Sequence, residues 1–267
     1  MSGSARRIWG LVYRHLALYR GSWPRLLELS YWPILQMCIW GFTSSYFAGR
    51  MSGSAAAMTV SALLGGVLLW EVTLRTQMGL SATFLEELWS RNLGHVFVSP
   101  LRPWEMMAAL TVMSVLRMLA GVLPAVLLAW AIYRFDLFSV GAPLVLFVAA
   151  LMLMGWCVGL GVMSLILRHG LGAEALAWSV TFGLAPFSCV FYPVSALPSV
   201  LRPVAFVLPS SHVFEGLRTV MAQGVVRWDE LGWAFGLDGL WLAAAVLLFL
   251  RQFQSARVRG ALLSIGE

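Results

Sequence analysis

Long apolar stretches alternate along this chain with short polar breaks. Mostly apolar runs of about 20 residues or more occur at about 27–48, 56–79, 104–133, 140–167, 173–192 and 231–251. As an α-helix, a run of that length crosses the ~30 Å hydrocarbon core of a bilayer. The pattern predicts an all-α membrane protein with six transmembrane helices: spans 1–2 within 27–79, spans 3–5 within 104–192, and span 6 at 231–251. Residues 5–20 differ. Ile8, Val12, Leu16 and Tyr19 fall at helical spacing beside Trp9, and Arg6, Arg7, Arg14 and Arg20 supply charge. This predicts an N-terminal interfacial amphipathic helix, its aromatics at headgroup level and its arginines reaching phosphates, or else a solvated lead-in helix. Gly21-Ser22-Trp23-Pro24 breaks it.

Two segments are not spans. In 80–103, Thr83 and Glu86 have capping-box spacing. A short helix at 83–93 is expected there, bearing Phe84, Leu85, Leu88 and Trp89 with Glu86, Glu87 and Arg91. In 193–222, Pro193, Pro198, Pro203 and Pro209 exclude one straight helix, yet the stretch is too apolar for a solvated loop. Two short helices, about 199–208 and 211–222, are expected. Broken helices at membrane depth survive when buried in protein or lining an aqueous cavity. Glu215 and Arg218, three apart, share a helix face and can pair.

Composition agrees with the pattern. The 267 residues are 60% hydrophobic and 11% charged, and mean hydropathy is +0.82. A soluble domain is about a quarter charged. The expectation is a single membrane domain over 1–267. All 18 basic residues are arginine, which points to a GC-rich bacterial genome. They are scattered between apolar runs and form no dense basic block, so the net charge of +6 does not argue for nucleic acid as a partner. They serve better as topology markers. With the N-terminus cytoplasmic, twelve arginines fall on that side and five on the other. The positive-inside rule then places both termini in the cytoplasm. Cys38, Cys157 and Cys189 lie inside apolar runs without ligand spacing, so inert buried thiols are expected and no metal. The arginines interrupting the first apolar run argue against a cleavable signal peptide.

Charges in or near the spans are Glu28, Glu71, Arg75, Glu105 and Arg117. An ionisable group in hydrocarbon costs about 2.5–3.5 kcal/mol on insertion scales, so each should face protein or water. Glu71 and Arg75, four apart, read as an intrahelical pair. Arg117 has no partner at i±4, and Glu71 or Glu28 on another helix is the expected one. Trp40, Phe182 and Phe187 do not fit the interfacial aromatic belt; they face lipid, pack between helices or line a pathway. Gly155 and Gly159 form a GxxxG that permits close helix contact.

With these features in place, the chain resembles the ABC-2 type permeases, the membrane subunits of one class of bacterial ABC exporters. The resemblance rests on the layout and on two stretches. One is Thr83-Phe84-Leu85-Glu86-Glu87-Leu88 with Ser99-Pro100-Leu101. The other is Phe191-Tyr192-Pro193 followed by Leu197-Pro198, Leu208-Pro209 and Glu215-Gly216-Leu217-Arg218. The resemblance implies a homodimer of permeases in the bacterial inner membrane, with two copies of a separate ATPase that binds ATP and Mg. Residues 83–93 would be the coupling helix docking the ATPase through Thr83, Phe84, Leu85, Glu86, Glu87, Leu88, Trp89 and Arg91. A split re-entrant hairpin at 193–222 would gate the extracytoplasmic end through Tyr192, Pro193, Pro198, Pro209, Glu215 and Arg218. The substrate would be amphiphilic: lipid-linked, polysaccharide-type or drug-like.

The chain has no GxxxxGK[ST] phosphate loop, so energy must come from a partner or an ion gradient. An ion-coupled secondary transporter is the alternative, and Arg117 with the span carboxylates would serve it as a relay. Against it, the broken segment occurs once, with no internal repeat. A membrane enzyme is disfavoured because His15, His95, His169 and His212 are dispersed without ligand spacing.

Overall fold

The computed structural model describes residues 3–50, 54–89, 102–170, 172 and 174–258. Among them lie nine α-helices: α1 (Gly3–Arg20), α2 (Trp23–Ala48), α3 (Ser54–Trp89), α4 (Pro103–Tyr133), α5 (Pro143–His169), α6 (Glu174–Leu184), α7 (Arg202–Phe206), α8 (Pro209–Gln223) and α9 (Trp228–Val258). Short 3-10 turns sit at Leu137–Val140 and Val194–Ala196.

Contacts fix the helix directions. Leu29 lies against Gly121 and Cys38 against Tyr133, so α2 and α4 run parallel. Gly79 meets Ser114 and Gly65 meets Phe135, so α3 runs against α4. Thr73 Oγ1 donates to the Leu151 carbonyl and Leu80 meets Gly159, so α3 and α5 run together. Helix α9 packs along α5, with Leu231 and Ala234 in one core and Phe249 and Phe253 in the other. Helix α3 is the hub: from Leu64 to Leu88 most of its side chains are buried.

Among the described residues three helices, Trp104–Tyr133, Pro143–His169 and Trp228–Val258, are long and apolar enough to cross a membrane. Helices α2 and α3 have the length, but aromatic, hydroxyl and charged residues dilute their apolarity. The expected fifth span, 173–192, does not form one helix: α6 stops at Leu184 and residues 185–192 are turns and bends. Pro186 explains the stop, because it has no N–H to donate and disfavours helical backbone at Ala185. The eleven residues of α6 reach only about 16 Å.

Helices α2 and α4 each hold an internal proline, Pro33 and Pro124. Each removes a bond to the carbonyl four residues earlier, freeing Leu29 O and Ala120 O. Ser30 Oγ of α2 donates to Ala120 O at 3.1 Å. Leu29 O in turn lies against Gly121, where an added Cβ would come within 2.7 Å of it. The two breaks therefore lie against each other, and the freed Ala120 carbonyl regains a donor from the neighbouring helix.

Candidate functional site

The first cluster of interest lies where α1 crosses the ends of α3 and α4. Val12 of α1 packs on Ala109 and Met113 of α4. Arg7 clamps Glu105 with two hydrogen bonds, of 2.6 and 2.9 Å. Arg14 bonds Glu87 at 3.2 Å, and His15 Nε2 lies 3.2 Å from the same carboxylate. Burial pushes the His15 pKa below its ordinary value, against the opposing pull of Glu87 and Glu86. Helix α1 is thus bolted by charge to the end of α3 and the start of α4.

The separate helix expected at 83–93 is not separate. Helix α3 runs unbroken from Ser54 to Trp89, and residues 90–93, with Arg91, lie outside the described residues. Thr83 does not cap a helix start; its Oγ1 donates back to the Gly79 carbonyl at 2.6 Å, the bond a threonine makes in mid-helix. Capping-box spacing carries no information when the preceding turn is already helical. The docking set also faces largely inward. Thr83, Phe84, Leu85 and Leu88 are buried, Glu87 is 2% exposed, and among the described members Trp89 alone is well exposed, at 52%. Glu86 is half-buried and forms the ion pair to Arg117 at 2.9 Å. Arg117 therefore pairs with neither Glu71 nor Glu28. Its partner became reachable because α3 continues past the point where a break was expected. Glu71 and Arg75 do pair, at 3.2 Å.

The second cluster is the broken segment at the opposite end. Its helices are Arg202–Phe206 and Pro209–Gln223 rather than 199–208 and 211–222. Pro203 and Pro209 sit in first turns, where a missing N–H costs nothing. Glu215 accepts a 2.6 Å hydrogen bond from Val194 N–H and pairs with Arg218 at 3.0 Å. Arg218 donates to the Cys189 carbonyl at 2.8 Å. Cys189 has φ +54°, left-handed backbone that a non-glycine residue rarely adopts. The pair thus staples α8 to residues 189–194. Tyr192 Oη donates to Pro186 O at 2.7 Å, and the 3-10 turn begins after Pro193. Pro198 is exposed. His212 of α8 contacts Glu230 of α9 through Nδ1 at 2.6 Å and the Phe206 carbonyl through Nε2 at 3.0 Å. Of the three pathway aromatics, Trp40 stacks on Phe191 with centroids 4.2 Å apart, Phe182 is exposed and Phe187 half-buried.

Three buried polar features went unread in the sequence. Gln77 of α3 donates to Ser81 and accepts from Thr181 of α6 at 3.0 Å, tying the short helix to the hub. Trp156 of α5 donates to Ser114 of α4 at 2.8 Å. Asp238 of α9 is 0% exposed, and neither carboxylate oxygen has a hydrogen-bond partner among the described residues. A lone aspartate inside the span at 231–251 was the available signal. Cys157 and Cys189 are buried free thiols and Cys38 a half-buried one, as their apolar settings imply.

The structure is thus a bundle of long apolar helices with a charged girdle around one end and a proline-broken hairpin at the other. Among curated proteins no match to the sequence is found. The family profile described as ABC-2 type transporter matches residues 6–222, from α1 to the end of the hairpin. That match takes in both clusters and most of the chain, which therefore belongs to the ABC-2 type transporter family, as a membrane permease of an ABC transporter.

Proposed function

We propose that the chain is the permease half of an ATP-driven exporter in the bacterial inner membrane. Two copies pair, two copies of a separate ATPase bind ATP and Mg and dock from the cytoplasm, and both permease termini face that side. The cargo is amphiphilic: lipid-linked, polysaccharide-type or drug-like. The observation that carries this reading is the continuity of α3. Its 36 residues reach about 54 Å, well beyond the ~30 Å hydrocarbon core. Its Trp89 end projects toward the docking side, and its Gly66 backbone touches the Val190 carbonyl beside the hairpin. A push at Trp89 and the following connection therefore travels along one rigid rod, through the Gln77–Thr181 tie, to the segment stapled by Glu215 and Arg218. In this role Glu86 and Glu87 brace the rod against Arg117 and α1, and the ATPase meets Trp89 and the chain beyond it. The 193–222 hairpin, with Tyr192, Pro193, Pro198, Pro209, Glu215 and Arg218, closes the outer end.

The test is reconstitution with the partner ATPase. Trp89→Asp should leave insertion and ATP hydrolysis intact while cutting transport per ATP hydrolysed. Wild-type coupling in that variant would sink the docking assignment. Asp238 favours the ion-coupled alternative, because an unpartnered buried carboxyl suits a proton carrier. Transport that persists without any ATPase and disappears in Asp238→Asn would establish it instead.

A further inference from the structure

A cavity of about 350 Å³ opens where the end of α1 and the start of α2 meet the last turns of α3 and the middle of α4. Its height in the bilayer can be read from the helices. Glu71, where charge begins along α3, lies seventeen residues beyond Ser54, or about 25 Å along the axis. The cavity uses α3 residues from Arg75 to Trp89, so it sits at and just beyond the headgroup level of the leaflet on the α1 side.

Two of its charged groups are satisfied internally, Arg117 by Glu86 and Arg75 by Glu71. What remains is specific. Arg25 and Glu28 both line the cavity, are exposed, and form no ion pair with any described residue. Arg117 also lines it but is only 7% exposed, and its Nε is buried out of the cavity's reach. The open complement is therefore one cation and one anion, against an apolar wall that includes Leu29, Leu85 and Trp89.

We propose that this cavity binds the headgroup of an aminophospholipid of the phosphatidylethanolamine class. The phosphodiester accepts from Arg25, and the ammonium donates to Glu28. Side chains three apart on a helix stand about 5–6 Å from one another, which suits a phosphate and an ammonium joined by two carbons. A purely anionic headgroup would meet Glu28 with like charge. A choline headgroup has no N–H to give it. Occupied in this way, the lipid would bridge the start of α2 and the last turns of α3. Arg25 and Glu28 belong to neither the docking end nor the hairpin, so the lipid site stands or falls independently of the transport reading.

The test is native mass spectrometry of the purified full chain, released from nanodiscs holding equal amounts of phosphatidylethanolamine, phosphatidylglycerol and phosphatidylcholine with identical acyl chains. The expected result is retention of the ethanolamine lipid about tenfold over the other two, in line with a charge-assisted hydrogen bond. Glu28→Gln should abolish that preference, and Arg25→Gln should lower retention of all three. Both residues are exposed, so neither variant threatens the fold. Equal retention of the glycerol lipid, or unchanged selectivity in Glu28→Gln, overturns the proposal. Glycerophosphoethanolamine, the headgroup without acyl chains, separates the sources. Failure to displace the lipid supports a membrane ligand, whereas displacement at micromolar concentration makes a soluble phosphodiester the occupant and overturns it.

Discussion

Gly155 tests how closely α5 must approach α3. A Cβ added there would lie 2.9 Å from the Thr73 carbonyl oxygen and 2.9 Å from Thr76 Cβ. Both atoms are fixed to the α3 backbone, so relief requires the helices to separate. At Gly159 the nearest atom is Leu80 Cδ2 at 3.1 Å, the end of a flexible side chain. At Gly161 nothing lies within 4 Å. All three replacements by alanine gain the same helix propensity, up to about 1 kcal/mol, so differences among them isolate packing. Overpacking costs about 1–3 kcal/mol. Gly155→Ala should therefore fall below Gly161→Ala by that amount, with Gly159→Ala between them. At roughly 2–4 °C per kcal/mol for a chain of this size, the two extremes should melt roughly 2–12 °C apart. Heating detergent-solubilised protein and measuring the surviving monodisperse fraction gives the order directly. Equal midpoints for Gly155→Ala and Gly161→Ala would refute the close α3–α5 contact.

Other outcomes follow from the charged clusters. Glu86→Gln should destabilise by about 1–3 kcal/mol, less than the 3–5 of a fully buried pair because Glu86 is partly exposed. In a double-mutant cycle with Arg117→Gln the losses should be non-additive; additive losses would remove Glu86 as the partner. His15 has a lowered pKa in the folded state, so its contribution is fully present above the unfolded value of about 6.5. It is lost as pH falls below that value toward the folded one. Limited proteolysis of α1 should accelerate on acidification in wild type and lose that step in His15→Gln; identical pH profiles would count against a buried His15. Glu230→Leu removes one of the two acceptors facing His212, and should free the α7–α8 hairpin. A cysteine placed at Phe206 would then label faster with an impermeant maleimide, and an unchanged rate would show that the contact does not restrain the hairpin.

Much of the fold was legible because apolar run length reports directly on spanning helices. The bounds of α4 and α5 differ from the apolar runs by a few residues at most, and both broken-segment helices fall where the prolines allow. Three features were not legible, each for a physical reason. Thr83-x-x-Glu86 resembles a helix start only if the preceding turn is not helical, and Gly79–Ala82 is helical in context. Arg117 selects Glu86 by the antiparallel packing of α3 on α4, a tertiary fact that no spacing within one helix encodes. The buried polar ties made by Gln77, Thr181, Ser114 and Trp156 consist of residues that look unremarkable one at a time and gain meaning only when their helices meet. Of the residues expected to dock a partner, burial places Thr83, Phe84, Leu85, Glu87 and Leu88 against other helices of this chain rather than on an outward surface.

The adjacent proline breaks of α2 and α4 also bear on the order in which the protein is made. Ser30 is synthesised ninety residues before the carbonyl it serves. When α4 leaves the insertion machinery, Ala120 O has lost its own helical donor, and the hydroxyl that replaces it is already in the membrane on α2. The break in α4 is thus tolerable only beside a helix inserted earlier. A fragment beginning after α2 should insert α4 poorly, and supplying α2 as a separate peptide should rescue it.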